Sequence, residues 1–436
     1  MIGISLAVTG IIFFVLLLIL IILGVPVTFS IGLSSIITML LTGIDLTTAA
    51  KAMVLPVRSF PLLGVFLFTF MGVVFEKTGL TSLIVDALQP IFGRVKGGLA
   101  VVTVVGCAFF GLLTGAVAAT AAAFSRIMGP EMEHRGYPRE FAAATITASS
   151  PLGAFIPPSI PAIIIAVATN TSVISMFFVA AALGVLVMLA LIIAILVVSF
   201  RKGYGGLERR YTLREIIINI LKAAPLVAVP LSVLGGIYLG IFSVTEAGAL
   251  GAIAALLVAA AYRTLTPKKI AQIFIEACKT TAVVLLMIGA SYILNYTWSL
   301  SGLNEALIGF FRSISAGVSP FIALLILAGI LAVLGMFFDV IVLAIAWGAT
   351  IISALAPYGI NPYHINALFL YGVLLGTSTP PVGAGVFVVA QSLNIEIEKV
   401  LKAILPFLLV YLILYIFIVL VPEAVLWLPR VLGLPV

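Results

Sequence analysis

Residues 149–161 read SSPLGAFIPPSIP, and 223 positions later residues 372–384 read GVLLGTSTPPVGA. In both stretches a glycine stands four positions before a Pro-Pro pair: Gly153 before Pro157-Pro158, and Gly376 before Pro380-Pro381. The same separation of 223 residues relates Gly79-Leu80 to Gly302-Leu303 and Gly136 to Gly359. One shared Pro-Pro pair is weak, but four points held in register indicate a duplicated unit.

The sequence around these breaks is that of a membrane protein. Of 436 residues, 63% are apolar and 8% charged, against roughly half and about a quarter in soluble chains. Runs at 2–23, 25–42, 60–75, 173–200, 216–240, 245–262, 279–299 and 401–428 read as plain spans; about 20 apolar residues cross a bilayer as helix. Residues 2–23 read as a retained first span, since they lack the basic start and cleavage site of a signal peptide. The other apolar stretches carry clustered Gly, Pro, Ser and Thr: 97–127, 141–168, 318–355 and 364–392. Taking 97–127 and 318–355 as re-entrant hairpins, and 141–168 and 364–392 as broken helices, gives ten crossings.

Charge fixes a topology on that count. The basic loops 201–222 and 263–279 flank one pair of spans and share a side. If that side is cytoplasmic, 18 of the 22 Lys and Arg lie inside, leaving Lys51, Arg58, Arg312 and Arg430 outside, as the positive-inside rule expects. Both termini are then periplasmic, and the two hairpins enter from opposite faces. The expected fold is an all-α polytopic membrane protein built from inverted repeats, an architecture of many secondary transporters. Its divisions are an N-terminal scaffold at 1–59, a first repeat at 60–200, a central helix pair at 201–278 and a second repeat at 279–436.

Several classes are excluded. The formal net charge of +7 resides in loops between spans, so it sets topology and forms no nucleic-acid patch. Cys107 and Cys278 show no metal or redox spacing. No Walker loop, nucleophile elbow or zincin motif is present, so neither nucleotide hydrolysis nor an intramembrane hydrolase is indicated. The chain is not expected to be an enzyme, and an ion gradient or another subunit must supply the energy. Two histidines, His134 in the charged loop 129–140 and His364 at the start of a broken helix, are too few for a proton relay or a metal cluster.

Irregular backbone at membrane depth is tolerated only where protein or a watery cavity satisfies it. Each break frees carbonyls that suit a hard monovalent cation and exposes a half-helix N-terminus that favours an anion. Matched breaks therefore point to a substrate and ion site near the midplane. Ser149, Ser150 and Ser159, together with Thr377, Ser378 and Thr379, surround the breaks as candidate substrate contacts with Pro157 and Pro158; back-bonding to helix carbonyls is their alternative role. Asp339, an acid within LAVLGMFFDVIVLAIAWGA, is a functional candidate because an unpaired carboxylate in a membrane is costly; the alternative is an acid at a helix end. Gly111, Thr114 and Gly115 form the first hairpin tip, where small residues serve close backbone approach or helix packing. Glu246 reads as a helix cap or interface residue before a ligand.

At this point a family becomes recognisable. EMEHRGYPREFAAATITASSPLGAFIPPSIP, GGIYLGIFSVTEAGALGA, GMFFD, GINPYH, GTSTPPVG and LWLP follow in order along nearly the whole chain. Together they resemble the large membrane subunit (DctM-like, M subunit) of tripartite ATP-independent periplasmic (TRAP) transporters. The resemblance implies an elevator-type symporter in a bacterial or archaeal inner membrane, coupled to Na+ and importing a small organic anion, a carboxylate or sulfonate. It implies two partners: a small four-helix membrane subunit and a periplasmic substrate-binding protein. Cation sites carried over by it fall on Thr114, Gly115, Gly153, Asp339, Gly376, Thr379 and Pro381.

The sequence departs from the family in two places. It has Leu113-Thr114-Gly115-Ala116 and then Ala118-Ala119-Thr120 where a Ser-Gly-Ser tip and Ala-Asp are usual, removing an acid and a hydroxyl from one cation site. AIAWGATIISAL replaces a Pro-rich stretch after Asp339 and implies a differently shaped second hairpin. The alternative function is a stand-alone sodium/dicarboxylate-type symporter without a binding protein.

Overall fold

A computed structural model describes residues 6–93, 95–205, 211–314, 317–379 and 383–436. Pro380 and Pro381, and the basic residues Arg94, Arg209 and Arg210, lie outside the described residues. The described chain is helical throughout: α1 (Leu6–Ile22), α2 (Val27–Thr42), α3 (Thr47–Val54), α4 (Phe60–Thr78), α5 (Ser82–Phe92), α6 (Gly98–Thr114), α7 (Val117–His134), α8 (Arg139–Ser149), α9 (Leu152–Phe155), α10 (Ile160–Ala168) and α11 (Val173–Lys202). The remainder comprises α12 (Leu213–Tyr238), α13 (Val244–Ala261), α14 (Pro267–Ser301), α15 (Leu303–Ile314), α16 (Pro320–Gly335), α17 (Val340–Leu355), α18 (Pro362–Thr377), α19 (Ala384–Leu393), α20 (Ile397–Leu420) and α21 (Glu423–Val431).

Capping chemistry sets many of these limits. Ser172, Thr212, Ser243, Thr266, Ser319 and Asn361 each accept a backbone N–H from the first turn of the helix that follows, satisfying donors that have no intrahelical partner. Glu246 belongs to such a device. Its Oε2 accepts from Ser243 N at 2.8 Å while Ser243 Oγ accepts from Glu246 N at 3.3 Å, closing a capping box. Gly79 and Gly302 end α4 and α14 with φ of +74° and +80°, and Gly136 and Gly359 have φ of +78° and +65°. These landmarks recur because each reverses the chain through a left-handed conformation, which favours glycine.

Three boundaries differ from expectation. The basic stretch 263–279 is largely helical: Thr266 caps Lys269 N at 3.2 Å, Pro267 starts the helix, and α14 runs unbroken to Ser301. The division expected at 278–279 therefore falls inside one helix. Residues 129–134 likewise continue α7 through Pro130, so only the turn at 135–138 separates α7 from α8, and exposed His134 is the last residue of α7. The last apolar run breaks at Val421-Pro422 into α20 and α21.

Among the described residues, seven helices are long and apolar enough to cross a membrane, or eight if α8–α9 and α10, bent by 50°, count as one. The stretch 340–358 is one of the seven. The other spans in the ten-crossing count, α1 and α2, are 17 and 16 residues long, below that length, and the second broken span joins α18 to α19 across residues outside the description.

Packing sorts the helices. α4 lies along α13 and α14, α12 packs on α13 and α5, and α14 also carries α2 and α3. The core is formed by α6, α8, α10 and α18, which are buried on nearly all sides. Helices α11, α12 and α20 instead show outward apolar residues such as Ile193, Leu221 and Leu409, as lipid-facing helices do. The halves interleave, with α7 against α19 and α17 against α10. Tyr411 Oη, on α20, donates to Ala148 O on α8 at 2.7 Å, and Asn366 Nδ2 donates to the hydroxyls of Thr169 and Thr171 at 2.9 and 3.1 Å.

Candidate functional site

The two breaks are each pressed against the turn between two neighbouring helices, and glycine makes that approach possible. A Cβ on Gly111 would lie 2.8 Å from Gly153 Cα and 2.8 Å from Leu152 O; one on Gly115 would lie 2.7 Å from Pro158 O. In the second half, a Cβ on Gly376 would lie 2.2 Å from the carbonyl carbon of Gly335 and 2.6 Å from Met336 N. Thus Gly153 and Gly376 hold equivalent places: each brings a helix break into backbone contact with the turn after α6 or after α16. At the first break the oxygens nearest α6 and its turn are Leu152 O, beside Gly111, and Pro158 O, beside Gly115; at the second the approach is through Gly335 C and Cα and Met336 N.

At the first break, α6 and α7 pack together from a turn at Gly115, whose φ is +60°. Thr114 Oγ1 donates to Phe110 O at 3.3 Å. Pro157 and Pro158 are buried and joined by a cis peptide bond. Thr120 is the residue the sequence reading passed over. It is fully buried, donates to Ala116 O at 2.8 Å, and its Oγ1 would be 2.1 Å from a Cβ on Gly153. Its signal was present in the departure at 118–120, where a hydroxyl remains after the acid is lost.

At the second break, α16 packs against α18 and α20, whereas α17 packs chiefly against α14, α10 and α15 and shares α18 with α16. The two helices separate from their turn. Asp339 caps α17, its Oδ1 accepting from Ile341 N at 2.9 Å. It also lines a cavity of about 170 Å³ whose walls are Val27 and Thr28 of α2, Met287 of α14, the 335–338 turn, Val342 and Thr377. Asp339 is thus a helix-end residue and a cavity residue together; its capping bond occupies one carboxylate oxygen with that N–H.

The expected substrate hydroxyls divide. Ser149, Ser150, Thr377 and Thr379 donate back to helix carbonyls, of Thr145, Thr147, Leu374 and Leu375, at 2.7 to 2.9 Å. Ser159 donates to Ala154 O and caps α10 by accepting from Ala162 N at 3.3 Å. Ser378 alone of this set is fully buried with no hydrogen-bond partner among the described residues. Ser150 and Thr377 meet around Gly385, whose Cβ position lies 3.3 Å from Ser150 Oγ and 3.6 Å from Thr377 O. This is where the two breaks converge. No group of three or more His, Cys, Asp or Glu able to hold a metal occurs among the described residues.

A profile of the tripartite ATP-independent periplasmic transporter family, DctM component, matches residues 14–424. The chain belongs to this family. Among curated relatives of this TRAP subunit, the C4-dicarboxylate TRAP transporter large permease protein DctM of Pseudomonas aeruginosa is 29% identical, covering 93% of this chain and 95% of that one. The sialic acid TRAP transporter large permease protein SiaM of Vibrio cholerae is 28% identical over the same 93% and 95%. The isethionate TRAP transporter permease protein DctMQ of Oleidesulfovibrio alaskensis is 28% identical over 88% of this chain but 61% of its own length. The fold is shared with the crystal structure of the YdaH transporter of Alcanivorax borkumensis, at a TM-score of 0.61 and 14% identity, covering 86% and 88% of the two chains.

Membership makes this a multi-pass inner-membrane secondary transporter subunit, and the named relatives are permeases. One further residue joins helices on the two sides of the Asp339 cavity. Asn295 of α14 donates from Nδ2 to Ile345 O at 3.1 Å and Ala346 O at 2.9 Å on α17. Sequence alone carries no sign of it, because an asparagine in an apolar run has no distinguishing neighbours.

Proposed function

We propose that this chain is the transport subunit of a binding-protein-dependent importer that moves a small carboxylate or sulfonate by symport with Na+. The observation that carries the reading is the pair of glycine contacts, Gly153 with the α6–α7 turn and Gly376 with the α16–α17 turn. In each, a buried glycine beside a break lies against backbone at or next to a turn, and the backbone carbonyls around the two breaks are where we place the cations. Cations held there, with Asp339 lending negative charge to one of them, neutralise the approach of an anion between the facing half-helices α10 and α19.

The motion we infer is of an elevator. The unit containing α6–α11 and α16–α21 is the transport body, with α6–α7 and α16–α17 as re-entrant hairpins. α1–α4 and α12–α14 form the scaffold, and the amphipathic α5 and α15 are arms. The halves are inverted repeats, and both termini face the periplasm. The Asp339 cavity lies on the boundary between the two bodies, since α2 and α14 form one wall. A small membrane subunit and a periplasmic binding protein complete the assembly, as the names of the relatives suggest for the family.

Radiolabelled anion uptake into proteoliposomes tests this, with the small subunit present, the binding protein added or omitted, and an inward Na+ gradient applied or absent. Uptake requiring both the binding protein and Na+ supports the proposal. Uptake indifferent to the binding protein favours a stand-alone symporter, and uptake indifferent to Na+ removes the coupling ion.

A further inference from the structure

Three tyrosines form one buried cluster beside the breaks: Tyr371 on α18, and Tyr411 and Tyr415 on α20, exposed by 0%, 1% and 3%. The Tyr371 ring lies 5.8 Å from that of Tyr411 and 4.9 Å from that of Tyr415. It also lies 5.8 Å from the ring of Phe155, at the end of α9 in the first break. Each hydroxyl donates to a backbone carbonyl: Tyr371 to Tyr411 O at 2.8 Å, Tyr415 to Leu368 O at 2.8 Å, and Tyr411 to Ala148 O at 2.7 Å.

The acceptors differ in what else serves them. Leu368 lies inside α18, where a carbonyl already accepts from the N–H four residues later, so Tyr415 adds a second bond to a group that has one. Ala148 is the next-to-last residue of α8. Beyond it Pro151 has no N–H to give, and backbone bonding across the break resumes with Gly153 N on Ser150 O at 3.0 Å. The carbonyls at this end are met by side chains: Thr147 O by Ser150 Oγ at 2.9 Å, and Ala148 O by Tyr411 Oη. Buried helix ends need such donors. The Tyr411 hydroxyl stands where Leu152 N would stand in an unbroken helix.

Tyr411 is held in turn from the other repeat. Tyr371, five residues before Gly376 on the helix that leads into the second break, gives its hydroxyl to Tyr411 O. A continuous path therefore runs from Ala148 on α8, through Tyr411 on α20, to Tyr371 on α18. It joins the half-helix entering one break to the half-helix entering the other.

We propose that Tyr411 is a positioning residue for transport: its hydroxyl ends α8 where the first break needs it to end, and Tyr371 fixes Tyr411 so that the two breaks keep one spacing while the body moves. The inference rests on the reading of the breaks as cation sites in a Na+ symporter, and it adds the residue that sets the shape of the first. Without that hydroxyl Ala148 O is a buried acceptor with no donor, and the end of α8 shifts to find one.

The test compares Tyr411→Phe with Tyr415→Phe in the full-length chain. Each keeps its ring and loses one hydroxyl on α20, but only the first leaves a carbonyl at the break unmet. Three quantities are read: the Na+ titration of uptake in proteoliposomes with the small subunit and binding protein, the melting temperature in detergent, and amide hydrogen exchange over residues 149–156 by mass spectrometry. Tyr411→Phe should raise the Na+ concentration for half-maximal uptake roughly fivefold, as for a constellation moved beyond its ~0.5 Å tolerance, and speed exchange at Gly153 to Phe155. Tyr415→Phe should change neither, whatever it does to the melting temperature. Tyr371→Phe should shift the titration in the same direction by less, and gives an independent reading if Tyr411→Phe does not fold. An unchanged Na+ titration in Tyr411→Phe, when the wild type needs Na+, would overturn the proposal, as would unchanged exchange. Equal shifts in Tyr411→Phe and Tyr415→Phe would also overturn it, since the cluster would then serve packing alone. A wild type that ignores Na+ would sink the symport reading instead, and the exchange measurement would still decide whether Tyr411 shapes the break.

Discussion

Replacing Gly376 by alanine adds a single methyl group at the point where the second break meets its turn. That Cβ would lie 2.2 Å from Gly335 C, 2.5 Å from Gly335 Cα and 2.6 Å from Met336 N. All three atoms are backbone, so no side chain can rotate away, and ordinary contact begins near 3.4 Å. The turn must therefore withdraw from α18 by about 1 Å, and overpacking of this kind costs roughly 1–3 kcal/mol. The displacement is about twice the ~0.5 Å within which a functional constellation has to be held. Gly376→Ala is expected to lower Na+-driven uptake at least tenfold and to raise the Na+ concentration needed for half-maximal uptake. Gly329→Ala is the control: it lies within α16, a Cβ there meets nothing within 4 Å, and a helical Gly→Ala change stabilises by about 1 kcal/mol. Uptake is measured in proteoliposomes per folded chain, with the melting temperature in detergent read in parallel. A Gly376→Ala protein with wild-type uptake and wild-type Na+ dependence would refute the reasoning, because the close approach would then serve packing alone.

The first break offers a rescue. Gly153→Ala directs its methyl onto Thr120 Oγ1 at 2.1 Å, with Ala116 O next at 3.0 Å, so Thr120→Ala should recover part of the stability lost; no recovery in thermal melts would show that the backbone contact dominates. Asp339→Asn keeps the cap on α17, because asparagine caps as well as aspartate. Its melting temperature should stay near wild type while Na+ dependence of uptake weakens at least tenfold, and an unchanged Na+ titration would leave the carboxylate as a cap only. Ser243→Ala opens the capping box at α13 and should destabilise by about 0.5–2 kcal/mol with uptake per folded chain unchanged, as parallel melts and transport assays will show.

The repeat was legible because its marks are backbone requirements. Gly79, Gly136, Gly302 and Gly359 all take left-handed φ values, and Gly153 and Gly376 both sit where a side chain has no room. Such constraints leave a residue-type imprint that survives without knowledge of packing. The start of α14 was not legible, since its first turns are basic and polar and a hydropathy reading assigns them to a loop; Thr266 and Pro267 were the available signal. The hydroxyls around the breaks were visible as a cluster, but whether Ser149 or Thr377 faces a ligand or its own helix carbonyl depends on rotamers. Asn295 gains its role from Ile345, 50 residues distant, and nothing local marks it; Thr120 gains its role from Gly153, 33 residues away, with the departure at 118–120 as its one local sign.

The central claim is that the body carrying the breaks moves against the scaffold. Asn295 on α14 and Ala346 on α17 face one another across that boundary, bonded at 2.9 Å. In a chain with Cys107 and Cys278 replaced by serine, Asn295→Cys and Ala346→Cys are to be joined by a short bifunctional thiol reagent, choosing a cleavable one. Uptake abolished by the cross-link and restored on cleavage is the predicted result. Cross-linked chains that import at the uncross-linked rate would contradict it, since scaffold and transport body would then not need to part.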